Sequence, residues 1–317
     1  MPQAWLAKLG LAIADALGLK DLAKTIGLVI VALIVGALLS VFAVMLAPFA
    51  LLGGRAGGAE PGSVPPALGF WADGLLSADA KAVGIPPVLA VAVMDHESGG
   101  QWTAQHQNTN GTSDAGLMQI NSANWSRYGL SADPYAPAGN IRAGVTILAG
   151  DLADHPNDVP SALEAYNGGG AGYSQAVLAD VRAIESSAHL AVAQLGGGAL
   201  PAAGAGRQVV LVTAWAPYGA KTQYGGQSWP GLVAPDSQTA TAGGSPVPLT
   251  PCAQAPSTVR HLLPAGATCW VAVVATGQPV TVTATWHRTT TRTWTGPHGH
   301  QHAETTTTPV TASATAQ

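Results

Sequence analysis

Three strings in this sequence carry residue types that can do chemistry. Met94-Asp95-His96-Glu97-Ser98-Gly99-Gly100 follows the apolar run Val88 to Val93, so one carboxylic acid closes an apolar helix. Gly116-Leu117-Met118-Gln119-Ile120-Asn121 combines a close-approach glycine, apolar residues and two amides. Ala165-Tyr166-Asn167-Gly168-Gly169 sets a phenol and an amide at a helix end. Burial penalises the charged form of an acid, so Glu97 can keep its proton near neutral pH. That proton is what a departing glycosidic oxygen requires. Amides and hydroxyls read the substituents of a sugar ring, and apolar side chains cover its faces. Taken alone, a Glu at a helix end is an ordinary solvated residue. The other two strings are what favour an acid catalyst.

The elements that must position these strings are helical. Ile85-Pro86-Pro87 precedes Val88 to Met94 with a proline suited to a first helical turn, Glu97 closes that helix, and Ser98-Gly99-Gly100 ends it sharply, leaving space beside the carboxyl group. Asn140 is read as the N-cap of a helix over Ile141 to Ala149. Val159 to Tyr166 is a short helix halted by Asn167 and three glycines, and Tyr173 to Leu190 carries a further helical pattern. Strand signals are nearly absent from 70–195, so this region is expected to be mainly α.

In order and spacing the three strings resemble the soluble-lytic-transglycosylase type of lysozyme-like domain. The resemblance rests on Glu97-Ser98, then Gly116 to Ile120, then Ala165-Tyr166-Asn167, and covers roughly Ile85 to Gly170. Asn108 to Asp114 followed by Gly116 to Asn121 looks most like the branch that accompanies conjugation and type IV secretion machines. The resemblance implies an α+β superfamily fold, no cofactor and a peptidoglycan substrate. Glu97 would protonate the leaving oxygen and then act as base, while the muramoyl C6 hydroxyl attacks the anomeric carbon and closes a 1,6-anhydro ring. Gln119 and Asn121 would line the cleft, and Met118 would shape its wall. Tyr166 would stand near the acid with Asn167 beside it, and Ser98 would orient the substrate or the Glu97 side chain. The sequence departs from the family at Asp114-Ala115, where Tyr or Ala-Xaa is usual before the glycine. Asp114 is then either a cap of the turn before Gly116 or a second acid that activates water across the cleft. Asp95 and His96 point to other faces of the helix and are read as structural.

The surroundings place this chemistry outside a cell. Residues 26–52 hold no charged residue, long enough to exceed the ~20 residues a membrane span needs. A cleaved signal peptide is the alternative, but its apolar core is usually ~7–15 residues. Lys8, Lys20 and Lys24 precede the span and only Arg55 follows closely, so the N-terminus is expected in the cytoplasm and the remainder outside. Residues 1–25 form an amphipathic leader that either lies on the inner membrane surface or continues into the span. Residues 53–69 read as a Gly/Ala/Pro-rich tether. The formal net charge of −4, without a basic stripe, argues against nucleic acid as a partner.

Beyond a second linker at 196–206 the texture changes. Residues 207–288 are β-branched and alternating, and read as a small β-rich module. Cys269 to Val274 and Val280 to Trp286 flank Thr276-Gly277-Gln278-Pro279 as a hairpin. Cys252 and Cys269 are the only cysteines; an oxidising exterior favours their disulfide, worth roughly 3 kcal/mol in the loop-entropy model, over two buried thiols. Trp215, Trp229, Trp270, Trp286 and Trp294 fit either core packing or stacking on wall sugars. His298, His300 and His302, with His287 nearby, lack an accompanying Cys or acidic cluster, and no metal site is expected. The Thr-rich tail 289–317 shows no apolar periodicity and is expected to be disordered. The reading is a single-pass membrane protein with an external transglycosylase domain over 70–195. A hydrolytic lysozyme and a non-catalytic wall-binding or channel-scaffold protein are its rivals.

Overall fold

The computed structural model describes residues 66–195, 206–260, 263, 265–295 and 300–316. The leader and the apolar span lie outside the described residues, as do most of the tether and residues 196–205. Among the described residues no helix is long and apolar enough to cross a membrane.

Among the described residues, five α-helices build the part before the β half: α1 (Ser77–Ala82), α2 (Pro87–Ser98), α3 (Pro137–Asp154), α4 (Val159–Tyr166) and α5 (Tyr173–Glu185). Pro87 opens α2, where its missing N–H is no loss. Every residue from Val88 to Met94 is fully buried. A helix that is apolar all round must be surrounded, and α2 packs against α1, α5 and a strand of the second half. Gly99 ends it in the left-handed region (φ 60°), its N–H donating to the Asp95 carbonyl at 2.8 Å.

Two helix limits differ from the sequence reading. Helix α3 starts at Pro137 with Ala136 as N-cap, so Asn140 lies inside the first turn and caps nothing. Its side chain is recruited by a distant loop instead, as described below. Helix α5 stops at Glu185, short of Leu190, because His189–Leu195 (β4) is a strand of the β half's sheet. A small antiparallel sheet, β1 (Gln105–Gln107), β2 (Ser113–Ala115) and β3 (Ile120–Asn121), also interrupts the helices. Its strands are too short to display the alternation that marks a strand in sequence.

The second half continues with β5 (Arg207–Tyr224), β6 (Gln227–Val233), β7 (Ser237–Ala242), β8 (Ser245–Val247), β9 (Thr250–Pro251), β10 (Trp270–Ala275), β11 (Val280–Thr295) and β12 (Gln301–Ala316). One sheet runs β4-β5-β10-β9 with β6 paired to the far part of β5; the other runs β12-β11-β7-β8. Val210, Val212, Val274, Val280 and Val282 meet in the core between them. The expected hairpin is therefore not formed: β10 pairs with β5, and β11 pairs with β7 and β12. The turn at Gly277 carries the chain from one sheet to the other, so the two apolar faces cover each other rather than lying side by side. Cys252 and Cys269 are joined by a disulfide, with Cα atoms 5.2 Å apart.

The tail also departs from expectation. Residues 289–295 and 301–316 are strand, in a ladder that pairs Val280 with Ala316 and Thr295 with Gln301. Threonine is β-branched and suits a pleated strand. Its hydroxyls also bond across the ladder, as in Thr281 with Thr315 at 2.9 Å and Thr291 with Thr305 at 3.1 Å. Cross-strand polar pairs thus replace the apolar periodicity whose absence suggested disorder. Of the tryptophans, Trp215, Trp229 and Trp286 are buried core and cannot stack on a ligand; Trp294 is exposed.

The halves touch at several contacts. The Tyr224 hydroxyl donates to the Leu152 carbonyl at 2.8 Å, and the Thr268 N–H donates to the Phe70 carbonyl at 2.8 Å. The sequence boundary at 195 accordingly falls inside a sheet, not between independent domains.

Candidate active site

Asn140 is the joint on which the site is assembled. Fully buried in α3, it accepts the Met118 N–H at 2.8 Å and donates to the Ala115 carbonyl at 2.8 Å and the Pro134 carbonyl at 2.9 Å. It thereby fixes the 115–118 turn from inside the core. Gly116 has φ 79°, and a Cβ there would lie 2.3 Å from the Asn140 amide nitrogen, so both conformation and space require glycine. Ser98 reaches the same loop from α2, donating to the Leu117 carbonyl at 2.7 Å. Tyr166 reaches it from α4, donating to the Met118 carbonyl at 2.9 Å. Gln119 is held in the left-handed region (φ 47°), with its amide donating to the Gly116 carbonyl at 2.8 Å. Such a conformation in a non-glycine residue costs of order 1–3 kcal/mol and persists where surroundings over-determine it.

The resulting cleft, about 420 Å³, is lined by Glu97, Asn108 to Asn110, Asp114, Gln119 to Asn121, Asn124, Ile147 and Tyr166 to Gly168. Glu97 lies at the last turn of α2. Burial is the main cause that raises its pKa, and the nearby Asp114 charge adds to it; the Tyr173 hydrogen bond and His96 act the other way. The Tyr173 hydroxyl donates to Glu97 Oε1 at 2.6 Å. Burial, then the Glu97 charge, push the Tyr173 pKa upward, so the phenol remains a donor throughout the working range. His96 in turn packs edge-on against the Tyr173 ring, with centroids 4.9 Å apart, and its Nδ1 lies 3.5 Å from Asp180 Oδ2. At the start of α5, Glu164 accepts from the Ser174 N–H at 3.0 Å and its hydroxyl at 2.6 Å, fastening the turn that carries Tyr173.

The structure brings together Glu97, Asp114, Gln119, Asn121, Tyr166 and Asn167 on one cleft. Two predicted residues stand elsewhere. Met118 is fully buried and packs on Gly144 of α3, so it supports the cleft from behind and forms no part of its wall. Ser98 is spent on the Leu117 carbonyl and the Gly100 N–H, and positions the loop rather than substrate or Glu97. Asp114 is no turn cap: one oxygen accepts from Asn121 Nδ2 at 2.7 Å and the other from Asn108 Nδ2 at 2.9 Å. The turn's backbone is satisfied by Asn140 instead.

Tyr173 is the functional residue that sequence reasoning missed. It reads as the first residue of an amphipathic helix, and only the packing of α5 on α2 brings it to Glu97. Asn108, Thr109, Asn110 and Asn124 were also unassigned, although a polar run between two motifs was a visible signal. Tyr173→Phe removes a donor that holds the Glu97 proton equilibrium down. The alkaline limb of the pH–rate profile is expected to move to higher pH, and kcat to fall roughly ten-fold as the acid loses its anchor. A limb that stays in place assigns Tyr173 to packing alone.

A buried, tyrosine-held acid facing amides and an apolar wall is a proton donor set for a polar, ring-bearing substrate. Comparison with known proteins adds one finding. Residues 75–186 match the family model described as the transglycosylase SLT domain. No curated protein and no solved structure gives a match. The matched span runs from just before α1 to just past the end of α5 and leaves out the β half. Over residues 75–186 the chain therefore carries a transglycosylase SLT domain, an enzyme domain of the lytic transglycosylase type that acts on peptidoglycan.

Proposed function

We propose that the chain is a membrane-anchored peptidoglycan lytic transglycosylase. It cuts the MurNAc–GlcNAc β-1,4 bond and leaves 1,6-anhydromuramoyl ends, opening the wall locally for a conjugation or secretion system. The observation that carries the cleavage reading is Glu97, an acid with a raised pKa, held by Tyr173 in a cleft rich in amides. It donates its proton to the leaving oxygen and recovers one from the muramoyl C6 hydroxyl as that oxygen attacks. The anchor rests on the charge-free run 26–52, and the outward orientation on Lys8, Lys20 and Lys24 before it.

Asp114 favours a second reading, hydrolysis by a water it activates, because it shares the cleft with Glu97. Against this, each of its oxygens is already engaged by an amide donor. Mass spectrometry of the products separates the readings: anhydromuramoyl ends support the lyase, reducing ends select the lysozyme, and no soluble fragments favour a scaffold. Asp114→Asn removes a charge that raises the Glu97 pKa. It is expected to keep anhydro products and to move the alkaline limb to lower pH. A loss beyond roughly 100-fold would assign Asp114 to catalysis. Protease added to intact cells is expected to remove the C-terminal half; its protection would overturn the orientation.

A further inference from the structure

A second cavity, about 770 Å³ and so larger than the cleft, opens where α5 ends against the β half. It shares no lining residue with the cleft around Glu97. Its walls bring together Glu185 at the end of α5, Tyr218 and Lys221 of β5, Ser228 of β6 and Arg288 of β11. The Arg288 guanidinium lies 5.6 Å from the centre of the Tyr218 ring, which orients the cation without neutralising it. Lys221 stands near enough to Glu185 to oppose the effect of burial on that carboxyl group. Two cations against one carboxylate leave a positive cavity in a chain of formal net charge −4. Ser228 and Thr289 to Thr291 add hydroxyls around it.

Position matters as much as charge. Helix α5 begins with Tyr173, which touches Glu97, and ends with Glu185 in the cavity wall. Twelve steps at 1.5 Å place the two ends about 18 Å apart, within reach of one polymer strand. On the reading of the cleft as a peptidoglycan site, we infer that this cavity binds the carboxylate-bearing peptide stems of the strand being cut, through Lys221 and Arg288. It would hold the polymer while the cleft performs the chemistry.

The test uses the full chain carrying Glu97→Gln, so that the wall is bound and not consumed. Retention is measured on insoluble peptidoglycan freed of phosphate-bearing polymers, and on the same glycan stripped of its stems by an amidase. Adding Lys221→Gln and Arg288→Gln is expected to weaken retention on the stem-bearing wall roughly ten-fold, the weight of two exposed charge-assisted contacts. Retention on stripped glycan should not change. Lys221→Arg with Arg288→Lys, which keeps both charges, should retain binding. Equal retention of the Gln pair on the stem-bearing wall would make the cavity a water-filled seam and overturn the inference. Failure of the otherwise unaltered chain to release any fragment would sink the cleavage reading instead, whatever the retention shows.

Discussion

Glu97→Gln is expected to lower release of soluble fragments from peptidoglycan by roughly 10³-fold, because Glu97 is the proton donor proposed for the leaving oxygen and a glutamine amide cannot give up a proton in its place. The fold should not suffer. Glutamine keeps an oxygen that can accept the Tyr173 hydroxyl, and it carries no charge to desolvate. The sign of the stability change follows from linkage. The folded-state pKa of Glu97 is raised, chiefly by burial, so the folded chain binds more protons than the unfolded one between the two pKa values. Ionising Glu97 therefore costs stability as pH rises above about 4.3, the free glutamate value, and through the raised value. The variant should melt at or above the temperature of the parent at pH 8 and level with it near pH 4. Calorimetry at both pH values, beside a fragment-release assay, checks the two halves. Release within ten-fold of the parent, or a lower melting temperature at pH 8, would remove Glu97 from its role.

Asn140→Ala is expected to have the largest effect on stability. It deletes three hydrogen bonds, two of them buried, and leaves the Met118 N–H and the Ala115 carbonyl without their side-chain partner. Stranded interior polar groups cost ~1–3 kcal/mol each, so a loss of about 4 kcal/mol follows. For a folded unit of this size that lowers Tm by about 10 °C. Activity should fall well below the new melting point too, since the turn that holds Gln119 and Asn121 loses its anchor. A change under 1 kcal/mol, measured by urea unfolding, would mean that water or a shifted loop replaces the amide.

These two residues also divide what could be read early from what could not. Glu97 was legible because two further strings, Gly116 to Asn121 and Ala165 to Gly169, follow it in a recognisable order; the apolar run before it and the glycines after it fixed only its helix. Helix α4 was legible to the residue, since Val159 to Tyr166 is bounded by chain-local stop signals. Asn140 was misread because an asparagine before an apolar run is locally an N-cap, whereas its partners lie 22 and 25 residues away. Met118 and Ser98 belong to the right strings, yet they face the core and the loop backbone. Motif order cannot reveal which way a side chain points.

The β half shows the same division. Period-2 alternation marked β10 and β11 as strands, because alternation is a property of each segment alone. Their partners are set by which apolar faces cover one another across the core, a competition among several strands. Thr289 to Thr295 and the strand after it carry no apolar signal, and their order comes from a ladder that exists only when both arms meet. By itself the sequence determined the helix that carries Glu97, since helix punctuation encodes it, while the reading of Glu97 as an acid and of the reaction type rested on the resemblance of three ordered strings to a family. Only the tertiary structure decided that Tyr173 holds the acid, that Asn140 builds its loop and that Asp114 faces the cleft between two amides. Those are contacts between residues far apart in the chain, and no local pattern records them.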